Sequence, residues 1–234
     1  MRLLAISPHL DDAAFSAGAL LAARAAAGWE VTVATCFTGN VARPQGFALA
    51  CQLDKGLPAE VDYMALRRAE DLAACAALGA TAVHLPFLEA PHRGYESAPA
   101  LFAARHADDD MVERLAPALG DLLEATRPDL VLGPLCLGDH VDHHVVREAL
   151  ARVAGATPLL LWEDWPYADR ANAVDTAPVL VEPLSPASRA ARILACAAYS
   201  TQLGFQFGGV DAMTARLTAI QEERYYAPAA RRRA

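Results

Sequence analysis

The sequence predicts a doubly wound α/β sheet, on three observations. Short apolar runs recur along the chain: Leu3-Leu4-Ala5-Ile6, Val31-Thr32-Val33-Ala34-Thr35, Ala82-Val83-His84-Leu85, Leu130-Val131-Leu132 and Pro158-Leu159-Leu160-Leu161-Trp162. Stretches of helical spacing separate them. The runs are continuously apolar or β-branched, which suits strands buried on both faces of a mainly parallel sheet. Strands alternating with helices imply right-handed crossovers and helices on both faces.

The elements follow in order. The first strand closes at Ser7-Pro8. Asp11 and Asp12 precede an Ala/Leu-rich helix that runs to Ala27, with Gly28 as its stop. Acidic residues favour a helix start and glycine its end. The β-branched run 31–35 completes a βαβ opening. Residues 65–78 read as helix, ended by Gly79. Val112, Leu115, Leu119 and Leu122 share a helix face, and Arg127-Pro128 ends that helix. Residues 145–153 read as the next helix. The last third is less regular, with a strand at 179–181 and helices at 188–199 and 211–224. Two connections, 37–63 and 86–106, are too long for simple turns. Both leave carboxyl ends of strands, where open α/β sheets bind ligands, so they are either binding loops or decoration. No repeat or linker divides residues 1–234, which predicts one domain.

Composition narrows the function. The 234 residues are 54% hydrophobic and 21% charged, enough for a sizeable core. The formal net charge of −8 makes nucleic acid a poor partner, since phosphate binding needs clustered Lys and Arg. The Arg231-Arg232-Arg233 run reads as a solvated terminus. Five scattered cysteines, at 36, 51, 75, 136 and 196, contain no CxxC pair and suggest free thiols in a reducing compartment. No signal-peptide pattern opens the sequence, and the uncharged run 13–23 is too short to span a bilayer. A cytoplasmic protein without a membrane partner is the expectation. A homo-oligomer is left open.

Two segments carry chemistry. Ser7-Pro8-His9-Leu10-Asp11-Asp12 puts one imidazole and two carboxylates on a strand-to-helix turn. His9 and Asp12 can converge as that turn closes, with Asp11 pointing elsewhere. A bland alternative makes Asp12 a helix N-cap. Gly138-Asp139-His140-Val141-Asp142-His143-His144 follows the fourth strand in the same topological position and holds three of the seven histidines. The two segments can meet over one crevice. His9, Asp12 and one motif histidine would supply two His and one carboxylate, leaving a metal position open for water. Asp11 would remain free to act on that water, and His140 to face developing charge.

These motifs resemble those of the LmbE-like (PIG-L) N-acetylglucosaminyl deacetylases, whose members carry His-Pro-Asp-Asp and His-x-Asp-His motifs. Here they read His9-Leu10-Asp11-Asp12 and His140-Val141-Asp142-His143, with Leu10 and Val141 at positions usually held by Pro. Weaker likeness extends to Arg67-Arg68-Ala69-Glu70, Tyr199-Ser200-Thr201-Gln202 and Glu223-Arg224-Tyr225-Tyr226. The resemblance implies a Rossmann-like three-layer fold with a metal site at the carboxyl edge of its sheet. It implies Zn2+ as cofactor, with Fe2+ able to replace it in a reducing cell. It implies His9, Asp12 and His143 as ligands; were His143 not the third, the adjacent His144 would be the next candidate. Asp11 would be the general base, a cationic His140 would stabilise the oxyanion, and Asp142 would orient a motif histidine. The substrate would be a small amino-sugar conjugate.

Other residues leave choices open. Arg67 is either a substrate contact or an i,i+3 partner of Glu70. His92 and Arg93, beside Pro91 and Gly94, are candidates to contact the sugar or an attached acid. His84 reads as a satisfied core histidine. Trp162-Glu163-Asp164-Trp165-Pro166-Tyr167 either flanks a sugar ring or packs the core. Two rival functions use the same residues: a non-haem iron oxygenase, which usually sits on a β-rich fold, and a non-catalytic metal- or nucleotide-binding module. The second has no use for Asp11, and no GxGxxG follows the first strand.

Overall fold

The computed structural model describes residues 1–169 and 174–228; the Arg231-Arg232-Arg233 run lies outside them. Five strands are parallel: β1 (Arg2–Ser7), β2 (Glu30–Thr35), β3 (Thr81–His84), β4 (Leu130–Pro134) and β5 (Leu159–Trp162). Two more, β6 (Leu180–Pro183) and β7 (Glu222–Tyr226), extend the β5 edge in antiparallel fashion. The sheet order is β3-β2-β1-β4-β5-β7-β6.

Helices α1 (Asp12–Ala26), α2 (Gly46–Leu53), α3 (Tyr63–Leu78), α4 (Ala98–Leu101), α5 (Met111–Thr126), α6 (Val141–Val153), α7 (Pro186–Ala197), α8 (Ser200–Phe207) and α9 (Val210–Ala219) connect the strands. The side-chain alternation of β1 divides the core. Leu3 and Ala5 pack with α1, α3 and α7 on one face, while Leu4 and Ile6 pack with α5 and α6 on the other. Strand runs apolar at every position are what such two-sided burial requires. The expected three layers and mainly parallel sheet are present. Among the described residues no helix is long and apolar enough to cross a membrane.

Three local expectations need correction. The helix expected over 145–153 begins four residues earlier, so the second motif forms its first turn rather than a loop. The long connections hold short helices: α2 in the first, a 3-10 turn (Ala90–His92) and α4 in the second. The helix expected over 211–224 stops at Ala219, and residues 222–226 are a strand. Here Glu223 and Tyr225 are buried while Arg224 is exposed. A buried glutamate hid that period-two pattern.

Glu223 is buried because it has partners. It lies 3.3 Å from Nη1 of the fully buried Arg192 and accepts from the Ala19 and Leu20 amides at 2.9 and 2.8 Å and from the Tyr225 hydroxyl at 2.9 Å. Arg192 in turn donates to the Phe15 carbonyl. Phe15 C=O and Ala19 N–H are i→i−4 partners in a regular helix, so the ion pair is wedged against the backbone of α1. Gly18 makes room for it: a Cβ there would lie 2.9 Å from Arg192 Cγ.

β1 pairs with both β2 and β4, and the strand order reverses between β1 and β4. Such a switch point opens a crevice at the carboxyl edge. Both motifs leave the sheet there.

Candidate metal centre and cleft

The first motif is shaped by Ser7. Its hydroxyl donates to the His9 carbonyl at 2.7 Å and accepts from the Ala13 amide at 3.0 Å. That serves an amide of the first turn of α1, so Asp11, at the N-cap, makes no side-chain cap bond. Asp12 turns back instead. Its Oδ2 accepts from the His9 amide at 2.8 Å and lies 3.1 Å from His9 Nδ1 and 3.3 Å from His143 Nε2. Leu10 and Val141, where the resemblance expects Pro, are both buried apolar side chains.

The second motif enters through a turn with positive φ at Cys136, Gly138 and Asp139. His140 is the N-cap of α6 and its Nδ1 accepts from the Asp142 amide at 3.2 Å. That bond places the ring proton on Nε2. Asp142 and His143 then occupy the first helical turn, both fully buried. His9, His140 and His143 can each bring a ring nitrogen within 4.8 Å of the other two.

Carboxylates hold the imidazoles. His9 Nε2 donates to Asp142 Oδ2 at 2.9 Å, and His143 Nδ1 donates to Asp164 Oδ1 at 2.8 Å. Asp142 also receives the Ala90 amide at 3.0 Å, and its other oxygen lies 2.8 Å from Arg93 Nη1. Asp164 also receives the Leu137 amide at 2.8 Å.

This donor set fits a divalent cation. Two ligands on a tetrahedral zinc are ~3.3 Å apart, given bonds of ~2.0–2.1 Å. The Asp12 distances to His9 and His143 match that edge. His143 Nε2 is fully buried without a hydrogen bond, facing Asp12. Charge agrees. Burial opposes protonation of His143, yet the carboxylates of Asp12 and Asp164 lift its pKa to about 9. Burial likewise opposes charge on His9, but Asp12 and Asp142 raise it well above the usual value. The pocket therefore demands positive charge beside these carboxylates, which a metal supplies in place of protons. His144, at the exposed end of the motif, pairs with Asp139 at 3.1 Å and is not part of the cluster.

Asp11 lies beside the cluster, buried, with Arg67 Nη2 3.8 Å from its Oδ2. Burial and the neighbouring Asp12 charge push its carboxyl up to about 7, against the pull of Arg67. A bound cation would draw it down again. Arg67 does not pair with Glu70. Its buried guanidinium pairs with Glu89, while Glu70 receives the Ser200 and Thr201 hydroxyls, each at 2.7 Å, and anchors α8.

The surroundings of His140 oppose the positive charge expected on it. Burial, then the nearby His9, pushes its pKa down to about 3. A cation at the cluster would press His140 further in the same direction.

The cleft above the cluster is lined by His9, Asp11, Asp12, Arg67, His92 and His140, among others. Both long connections contribute walls. His92 faces the cleft; Arg93 does not, being paired behind it with Asp142 and with Asp109 at 3.0 Å. His84 bonds to Asp71 at 2.8 Å, away from the cleft. Trp162 is core, whereas Tyr167 reaches the cleft and packs its ring 5.7 Å from that of His143. Sequence reasoning missed Asp164, Glu89 and Tyr63, and touched Gln202, which also lines the cleft, only through the weak likeness of 199–202. Of the three missed, only Asp164 had a signal, two residues beyond a buried strand at the carboxyl edge.

A Rossmann-like sheet with a His/Asp cluster at its switch point defines a metal-centre protein of the α/β class. The chain belongs to the PIG-L family: its family model, described as GlcNAc-PI de-N-acetylase, matches residues 4–154. The chain is 34% identical over 184 residues to a 2'-N-acetylparomamine deacetylase of Streptomyces fradiae, covering 77% of this chain and 63% of that relative's length. Among solved structures it is similar to a zinc-inhibited form of teicoplanin deacetylase, at 28% identity and TM-score 0.84 over 97% of both chains. It is also similar to an antimicrobial-reagent pseudoaglycone deacetylase, at 31% identity and TM-score 0.82 over 97% of this chain and 96% of the other.

Proposed function

We propose that this chain is a zinc-dependent hydrolase that removes the N-acetyl group from a small N-acetylglucosamine-type conjugate. The observation that carries the reading is Asp11: a buried carboxyl, free of capping duty, beside a cluster with the donors of a metal centre and open to a cleft. A non-catalytic metal module has no use for it. The deacetylases among its relatives support the reaction type.

His9, Asp12 and His143 would hold the metal, which when bound polarises the acetyl carbonyl and lowers the pKa of its water. Asp11 then takes a proton at a carboxylate oxygen and returns it to the leaving amine, since one carboxyl group can serve both steps. Arg67, backed by Glu89, keeps Asp11 oriented and its charge tolerable. His140 donates from Nε2–H to the developing oxyanion as a neutral imidazole. Asp142 and Asp164 fix the rings of His9 and His143. Arg67 and His92 line the sugar's approach, and Arg93 braces Asp142. The five cysteines, all free, support a reducing compartment such as the cytoplasm.

The test is Asp11→Asn, loaded with one equivalent of zinc and assayed for amine release from an N-acetylglucosaminide. Metal content should stay at the parent level while turnover falls by ~10²–10⁴-fold, the usual worth of general-base assistance. Parent-like turnover would remove Asp11 from the reaction and the proposal with it.

A further inference from the structure

Arg93 is turned away from the cleft and meets two carboxylates. Its Nε and Nη2 face Asp109 Oδ1 and Oδ2 at 3.4 and 3.0 Å, and its Nη1 lies 2.8 Å from Asp142 Oδ1. The side chain is 8% exposed, so these charges meet largely away from water. The guanidinium also lies 5.0 Å from the ring centre of Phe37 and 5.8 Å from that of Tyr95, and it donates to the Leu88 carbonyl at 2.8 Å. Asp109, just ahead of α5, is fixed in turn. It accepts from the Tyr95 hydroxyl at 2.9 Å and from the Met111 amide at 3.1 Å. A planar guanidinium can serve two carboxylates at once; a lysine ammonium lacks that fork.

Asp142 is where these contacts arrive. It holds His9 Nε2, and the turn at 90–93 grips it twice, with the Ala90 amide on one oxygen and Arg93 on the other. Pro91 and His92, between those two grips, line the cleft. One short piece of chain is therefore cleft wall on one side and support for a candidate metal ligand on the other. Phe37, fully buried, sits against both ends of the arrangement, its ring centre 6.0 Å from that of His9. Charge points the same way. Asp142, Asp109 and Arg93 together carry one net negative charge on the Nε2 side of His9. A carboxylate behind an imidazole makes its other nitrogen a stronger donor to a cation.

We propose that Arg93, held by Asp109, is a positioning residue for the metal centre: it sets Asp142, and through Asp142 the ring of His9. One brace then supports both the cleft wall that bears His92 and the ligand His9. This rests on the metal-centre part of the reading above.

The experiment measures Zn2+ affinity by chelator competition in the parent, Asp109→Asn, Arg93→Lys and His92→Ala proteins. It also records the ligand-field spectrum with Co2+ in place of zinc, which reports the geometry around the metal. Asp109→Asn, a near-isosteric change, removes the net negative charge and loosens the fork. Arg93→Lys keeps the charge and loses the fork alone. Each should weaken zinc by at least ~10-fold, within the range lost with outer partners of a metal ligand, and should alter the Co2+ spectrum. His92→Ala, in the same turn but outside the brace, should keep the parent zinc affinity and spectrum. Parent-like zinc affinity in both brace variants, even with a lowered Tm, would reduce Arg93 and Asp109 to loop packing and overturn the proposal. An equal loss in His92→Ala would overturn it too. If Arg93→Lys does not fold, Asp109→Asn decides the matter alone. A parent protein that takes up no zinc would sink the metal-centre reading itself, whereas a parent that binds zinc no better than its brace variants sinks only the brace.

Discussion

In the proposed centre His143 would offer one ring nitrogen to the metal and the other to Asp164, and the 2.8 Å bond to Asp164 sets which is which. Such outer partners fix tautomer and orientation, and their loss typically costs ~10–100-fold in metal affinity. Asp164→Asn should show a loss of that size in chelator competition for zinc; unchanged affinity would reduce Asp164 to a packing residue. A second pair of variants separates the ligand set from its neighbour. His143→Ala should lose its metal, while His140→Ala should keep it and lose turnover. Because His140 is neutral well above its depressed pKa, the alkaline limb of the pH–rate profile should persist in His140→Ala. Metal loss from that variant would make His140 the third ligand in place of Asp12. At this scale the sequence was informative about residue types and silent on partners. His9, Asp12 and His143 could be picked from their spacing and family likeness, whereas Arg67 pairing with Glu89 across 22 residues could not.

The elements were legible wherever a strand is buried on both faces, because a continuous apolar run then has few other uses. β7 broke that rule. Its Glu222-Glu223-Arg224 stretch looks solvated, and Glu223 is inside because Arg192, two amides of α1 and the Tyr225 hydroxyl meet its carboxylate there. Removing one member of a buried pair strands the other and costs about 3–5 kcal/mol. Arg192→Ala should lower unfolding stability by that order in urea melts, with metal content followed alongside. Gly18→Ala should cost about 1–3 kcal/mol by crowding the same guanidinium stem. Parent-like melts for both variants would show that the wedge carries little. The short helices α2 and α4 were also missed, since few residues of each face the core and periodicity had little to register.

Across the whole molecule, metal and fold are linked. A ligand that binds only the folded state stabilises it by RT ln(1 + [L]/Kd), about 4 kcal/mol at a free concentration of ~1,000 Kd. At this chain length each kcal/mol moves Tm by roughly 2–4 °C. Chelation should therefore lower Tm by roughly 8–16 °C relative to the zinc-loaded protein, and a Tm indifferent to zinc would argue against a resident metal. The Arg192–Glu223 wedge adds a constraint of timing. Glu223 serves amides of the helix that bears Asp12, 204 residues away in sequence from Ala19. At about 5–20 residues per second of synthesis, roughly 10–40 s separate the emergence of that helix from that of its last partner. For that interval the nascent first helix lacks one of its braces, which arrives only with β7.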